Sequence, residues 1–155
     1  MASGTIIDNF KDALAVGSNI IESAEKEVAW LLPGPILVFA AQYGLHEKSE
    51  ALMQRGGRVR GITEVSPLYA NVISKLISTG EDVRHADNYG GTSFMVVGDN
   101  KQSISSIQLS VEDLSLDDRI VAFWSEDPDY AAYLLSSFDT TWTGAIDAQE
   151  RIQNL

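Results

Sequence analysis

Apolar residues recur along this chain with two spacings, which predict helices in some segments and strands in others. Residues 5–27 carry them at the period of a helix with one buried face. Pro35, Ser66-Pro67 and Asp127-Pro128 are typical helix starts. Further helices are therefore predicted over 36–54 (with Gly44 as a dividing point), 67–80 and 127 to the carboxyl end. Apolar or alternating runs predict strands over 28–32, 58–65, 82–86, 93–97, 102–109 and 119–124.

This order of elements predicts a mixed α/β fold, with one β-sheet sandwiched by helices and residues 1–155 forming a single domain. The final helix has apolar residues every fourth position from Tyr130 to Ile146, and Ile152 and Leu155 extend the pattern. Two interpretations of this extended C-terminal helix stay open. In the first, the helix runs beyond the domain and either continues into another module or pairs with a copy of itself. In the second, it is a packed terminal helix with a frayed tail.

Charge and composition remove several classes of function. The 155 residues include 22 Asp and Glu against 11 Lys and Arg, so the net charge is −11. A strongly negative body repels nucleic-acid backbones and anionic membranes, so neither is expected as a direct partner. The absence of cysteine excludes a disulfide scaffold, a zinc ribbon and thiol catalysis, and two histidines are too few for a His-rich metal site. No cofactor is predicted, no apolar run is long enough to cross a bilayer, and a cytoplasmic domain is expected.

Three stretches resemble the phospholipase D-like superfamily: RGGRVRGITEV, DVRHADNYGGTSFMVVGDNKQSIS and IVAFWSEDPDYAAYLLSSFDTTW. The catalytic half of that superfamily carries His-x-Lys-x4-Asp on a strand that leads into a hairpin. Aligned on TSFMVVGDN, the histidine position is Thr92, the lysine position is Phe94, and the aspartate is kept as Asp99. Phosphodiester transfer by this route needs an imidazole nucleophile and an ammonium group. The resemblance therefore implies a pseudo-enzyme with half of a phospholipase D-like fold.

The chain is more closely similar to degenerate phospholipase D-like sensor domains of archaeal signalling kinases and sugar-responsive transcription regulators. The stretches ITEV, VRHAD, GDN and FDTTW carry this likeness, which covers roughly residues 10–152. The resemblance implies a non-catalytic domain that senses a small metabolite beside a kinase or DNA-binding module and passes the signal through its last helix. Since related enzymes build one site from two halves, it also implies a homodimer.

Ligands of open α/β sheets bind beyond the carboxyl ends of the strands. The candidate ligand-binding residues there are Thr63, Glu64, Arg84, His85, Thr92, Asp99 and Ser125. Four of them have a structural alternative: Arg84 pairs with an acid such as Glu64, His85 is a core residue, Glu64 caps a helix, and Asp99 is a turn residue. Besides a sensor, two functions stay open: a structural homodimerisation module, and a hydrolase that uses Glu64, His85 and Asp99.

Two further motifs are predicted to have no chemical role. His46-Glu47-Lys48 is another His-x-Lys tripeptide, but Met53 stands seven residues after the histidine, and the motif lies in a helical pattern. It is interpreted as a solvated helix face. The acidic residues between 112 and 118 lack the regular spacing of a calcium loop, so they are interpreted as a solvated connection.

Overall fold

One mixed sheet runs through the molecule. The structure, a computed structural model, describes residues 4–87, 94–106 and 115–155. The strands found in these residues are β1 Gly4–Asn9, β2 Glu27–Leu31, β3 Arg58–Thr63, β4 Asp82–His85, β5 Met95–Gly98, β6 Gln102–Ser106, β7 Arg119–Ser125 and β8 Ile146–Asp147. The helices are α1 Phe10–Ser23, α2 Gly34–Gln42, α3 Leu45–Gln54, α4 Ala70–Ser78, α5 Pro128–Gly144 and α6 Ala148–Gln153. The mixed α/β class is confirmed.

The sheet order is β1-β7-β6-β5-β2-β3-β4-β8. Strands β2, β3 and β4 are parallel, and every other neighbouring pair is antiparallel. The larger apolar core lies between one face of the sheet and helices α1–α4 and α6. The smaller core lies on the other face, beneath α5. Helices thus cover both faces, but the second face has only one long helix.

The amino-terminal segment differs from its prediction. Residues 5–9 belong to β1, which pairs with β7, and the helix begins only at Phe10. The Asn9 side chain accepts a hydrogen bond from the Asp12 amide and so caps the helix. Apolar residues at positions 6, 7 and 10 fit the helical period as well as a strand, so periodicity alone gave the wrong assignment here.

The carboxyl-terminal helix is shorter than predicted. Helix α5 ends at Gly144, Ala145 is extended, and β8 then pairs antiparallel with β4. Asp147 starts α6 by accepting a hydrogen bond from the Glu150 amide. Ala148 is fully buried and Ile152 packs on the larger core. The last residues therefore fold back onto the sheet.

The remaining elements agree with the predictions to within a few residues. Gly44 separates α2 from α3 with a left-handed φ of +83°, as its position in the apolar pattern suggested. Asp99 and Asn100 form the tight turn between β5 and β6, with φ values of +53° and +56°. In the part of the chain that the structure describes, no helix combines the length and apolar character needed to cross a lipid bilayer.

Candidate functional site

The parallel strands β2, β3 and β4 end on the same side of the sheet, where β5 begins. We call this side the β2–β4 end. Thr63 and His85 are register partners there, and Leu31 is opposite Met95. Of the candidate residues, this end brings together Thr63, Glu64, Arg84 and His85. Thr92 lies outside the described residues.

Thr63 and His85 are both buried and hydrogen-bonded within the protein. The Thr63 hydroxyl donates to the Leu32 carbonyl at 2.8 Å. His85 Nδ1 accepts from the Val65 amide at 2.9 Å, so the proton of a neutral ring lies on Nε2, which is 2.9 Å from an Asp87 carboxylate oxygen. His85 is thus a buried histidine with a hydrogen-bond partner at each ring nitrogen.

Arg84 bonds to the end of α5, and the predicted alternative of a pair with Glu64 does not form. Its Nη1 donates to the Trp142 carbonyl at 2.8 Å, and its guanidinium carbon lies 4.1 Å from the centre of the Trp142 ring. This cation–π contact fixes the arginine between β4 and α5. Glu64 is half-buried and makes no hydrogen bond or ion pair with the residues that the structure describes.

Asp99 and Ser125 lie at the opposite end of the sheet, so the expectation that all candidate residues share one end was wrong. Strands β5 and β7 run antiparallel to the central parallel strands, and their carboxyl ends therefore point away from the β2–β4 end. Asp99 is consequently remote from Glu64 and His85. The three cannot form one acid–base site.

Both residues at that opposite end have structural contacts. The Asp99 carboxylate accepts hydrogen bonds from the amides of Glu25, Lys26 and Glu27 at 2.7–2.9 Å. Partial burial raises the pKa of Asp99, but these three donors and the Lys101 charge outweigh it, so the pKa is lowered. Ser125 accepts a hydrogen bond from the Asp127 amide at 3.0 Å, just before α5.

Phe94, which the sequence resemblance aligns with the lysine of the phospholipase D-like motif, is a core residue. Phe94 is 5% exposed and belongs to the larger core, and its amide donates to the Ser106 hydroxyl at 3.0 Å. An ammonium group at this position would be surrounded by apolar side chains. Its charge would therefore be buried without an ion partner, which is strongly unfavourable.

Sequence reasoning missed a polar cluster inside the larger core. Trp30 Nε1 donates to Glu81 Oε1 at 2.8 Å, while Glu81 Oε2 and His46 Nε2 are buried with no hydrogen-bond partner among the described residues. Both line one cavity of about 20 Å³, large enough for a water molecule. Burial raises the pKa of Glu81 to about 7 against the opposing effect of the Trp30 hydrogen bond. Burial also lowers the pKa of His46, with Glu47 opposing and Lys75 reinforcing the shift. The prediction that His46 lies on a solvated helix face is therefore wrong.

Known structures share the fold of this chain. Nuc from Salmonella typhimurium, a phospholipase D family member, superposes with a TM-score of 0.73 at 13% identity, covering 95% of this chain and 98% of Nuc. NucT from Helicobacter pylori gives a TM-score of 0.73 at 13% identity, with 95% and 99% covered. The chain has the phospholipase D-like fold. Neither a family model nor a curated protein matches it.

A third structure with the phospholipase D-like fold comes from a longer protein. The archaeal chromatin protein TrmBL2, whose structure shows a novel mode of DNA binding, superposes with a TM-score of 0.69 at 18% identity. The match covers 93% of this chain and 54% of TrmBL2. The present chain therefore spans about half the length of that protein.

Proposed function

We propose that this chain is a non-catalytic, ligand-sensing domain of a prokaryotic, archaeal regulator that acts in the cytoplasm. The observation that carries the proposal is Phe94, a buried core residue where the resembled catalytic motif has its lysine. Thr92 replaces the nucleophilic histidine of that motif. Without an imidazole and an ammonium group, the superfamily's phosphoryl transfer has neither its nucleophile nor its charge stabilisation.

TrmBL2 supports the regulatory part of the proposal, since about half of that chromatin protein matches this fold. By analogy, the chain works fused or bound to a kinase or DNA-binding module. Its own net charge of −11 disfavours direct contact with nucleic acid.

We assign ligand recognition to the β2–β4 end. Glu64 offers a half-buried carboxylate that makes no bond with the described residues, and Arg84 lies close by along the sheet. Arg84 also holds the Trp142 carbonyl at the end of α5 and is the register partner of Asp147 in β8. A ligand that competes for the Arg84 guanidinium would release this contact, so the change would reach the carboxyl-terminal segment.

The test is a thermal-shift screen of the full chain against sugars, nucleotides, organic acids and phosphorylated metabolites, together with a phosphodiesterase assay. A ligand at 100 times its Kd stabilises the protein by about 2.7 kcal/mol, a readily measured shift. We expect a hit that Glu64→Ala loses and no turnover of the phosphodiester. Glu126→Ala is the matched control, because Glu126 is exposed beside Ser125 at the opposite end. Turnover above background, or a screen with no hit, would overturn the proposal.

A structural homodimerisation module is the second candidate function, and an exposed apolar patch favours it. Ile6 is 62% exposed and is the register partner of Phe123. Tyr130 packs edge-to-face on Phe123 at 5.4 Å and stacks on Tyr133, which is 69% exposed. Light scattering distinguishes the candidates when combined with the screen: a dimer that Ile6→Lys dissociates, with no ligand found, would favour the module over the sensor.

A further inference from the structure

A groove of about 240 Å³ opens between α1 and the junction of α2 and α3. It is lined by Lys11, Leu14, Ala15, Ser18, Tyr43, Leu45 and Leu116. Two smaller cavities of about 20 Å³ each, lined by residues of the larger core, lie next to it. Leu45 lines the groove and both cavities. Its side chain is therefore part of the wall between the surface groove and the space inside.

Gly17 leaves additional space behind this wall. It lies on the buried face of α1 and lines the first cavity, and a Cβ there would meet no atom within 4 Å apart from its chain neighbours and the backbone of α1 itself. Alanine would fit there, and it is favoured over glycine in a helix by about 1 kcal/mol. Packing and helix stability thus do not explain this glycine.

The chemistry of the groove selects one class of ligand. Its floor is apolar, formed by Leu14, Ala15, Leu45 and Leu116. The Lys11 ammonium makes no ion pair or hydrogen bond with the described residues, although the chain has twice as many acids as bases. A carboxylate is the natural partner for such a cation, and the apolar floor suits an aliphatic or aromatic tail.

We propose that this groove binds a small monocarboxylate with an apolar tail. The carboxylate pairs with Lys11, and the tail lies on Leu14 and reaches past Leu45 towards the space beside Gly17. The volume suits a short acyl chain or a single ring, because a cavity of about 150 Å³ accepts benzene. The site uses none of the residues assigned to ligand recognition at the β2–β4 end, and it goes beyond the function proposed above.

Calorimetric titration of the full chain with octanoate tests the site. We expect binding that Gly17→Leu abolishes and that Gly17→Ala weakens, while Gly17→Ala raises the Tm of the unliganded protein. Gly144→Ala is the matched control, because a Cβ at Gly144 also meets no atom and Gly144 lies at the end of α5. Its octanoate affinity should equal that of the wild type. Gly17→Ala keeps the test valid if Gly17→Leu does not fold.

The role of the charge is tested with Lys11→Gln, which should weaken octanoate about tenfold and leave 1-octanol unchanged. Lys26→Gln removes an exposed lysine at the opposite end of the sheet and should change neither. No octanoate binding to the wild type, or equal binding to all variants, would refute the site. Glu64→Ala should not affect octanoate, so failure of this site and failure of the sensor proposal are separate results.

Discussion

The unfolding free energy should depend on pH through Glu81, the one acidic side chain that is buried among the residues the structure describes. Glu81 is 4% exposed, and its pKa rises from 4.5 to about 7 because burial penalises the carboxylate. A pKa difference of one between the folded and unfolded states corresponds to about 1.4 kcal/mol. The rise in the Glu81 pKa from 4.5 to about 7 therefore corresponds to about 3 kcal/mol of unfolding free energy. The folded state holds this proton more tightly than the unfolded state. The stabilisation is therefore complete below about pH 4.5 and is lost as the pH rises to about 7.

Glu81→Gln isolates this effect, since glutamine can still accept the Trp30 hydrogen bond but does not titrate. Both proteins are unfolded in urea at pH 4.5, 6 and 7.5. The unfolding free energy of the variant minus that of the wild type should rise by about 3 kcal/mol from pH 4.5 to pH 7.5. The comparison is needed because His46 lines the same cavity and its lowered pKa acts in the opposite direction. Glu126→Gln controls for the loss of one exposed carboxylate. A free-energy difference between Glu81→Gln and the wild type that does not change with pH would refute the reasoning.

Three further substitutions test other contacts. Gly61→Ala should destabilise the protein by about 3 kcal/mol in urea, because its Cβ would lie 2.0 Å from the Trp30 ring; a loss below about 0.5 kcal/mol would contradict this packing. Asp99→Asn should cost about 1 kcal/mol at pH 7 by weakening the bonds to the amides of Glu25, Lys26 and Glu27. Since the Asp99 pKa is lowered, that cost should shrink as the pH falls towards 3, and an equal cost at both pH values would count against it. Arg84→Lys should speed amide hydrogen exchange in residues 146–153, because lysine lacks the guanidinium that stacks on Trp142; unchanged exchange would mean that this contact does not hold the segment.

Most of the sheet could be predicted from sequence because its strands are apolar or alternating runs separated by glycine, proline or charged turns. The hairpin at Asp99 and the break at Gly44 follow from the same local signals. The short strand β8 could not be predicted, since Ile146 continues the four-residue spacing of α5. What ends the helix there is pairing with β4, a contact between distant residues.

The candidate site was harder to predict than the fold. A strand is recognisable from its residues, but its direction in the sheet is not, and direction decided that Asp99 and Ser125 lie away from Glu64. The cluster of Trp30, Glu81 and His46 gave no sequence signal beyond the need of a buried indole for an acceptor. Nothing local indicates that Glu81, fifty-one positions from Trp30, supplies it.

The first and last strands of the chain occupy the two outermost positions of the sheet, β1 at one side and β8 at the other. The eight strands found in the described residues are separated by seven intervals of about 4.8 Å, so β1 and β8 lie roughly 34 Å apart across the sheet. A circular permutant would need a connector of at least about ten extended residues to join them. Modules fused to the two ends would likewise be held on opposite flanks of the molecule, with the full width of the sheet as a spacer between them.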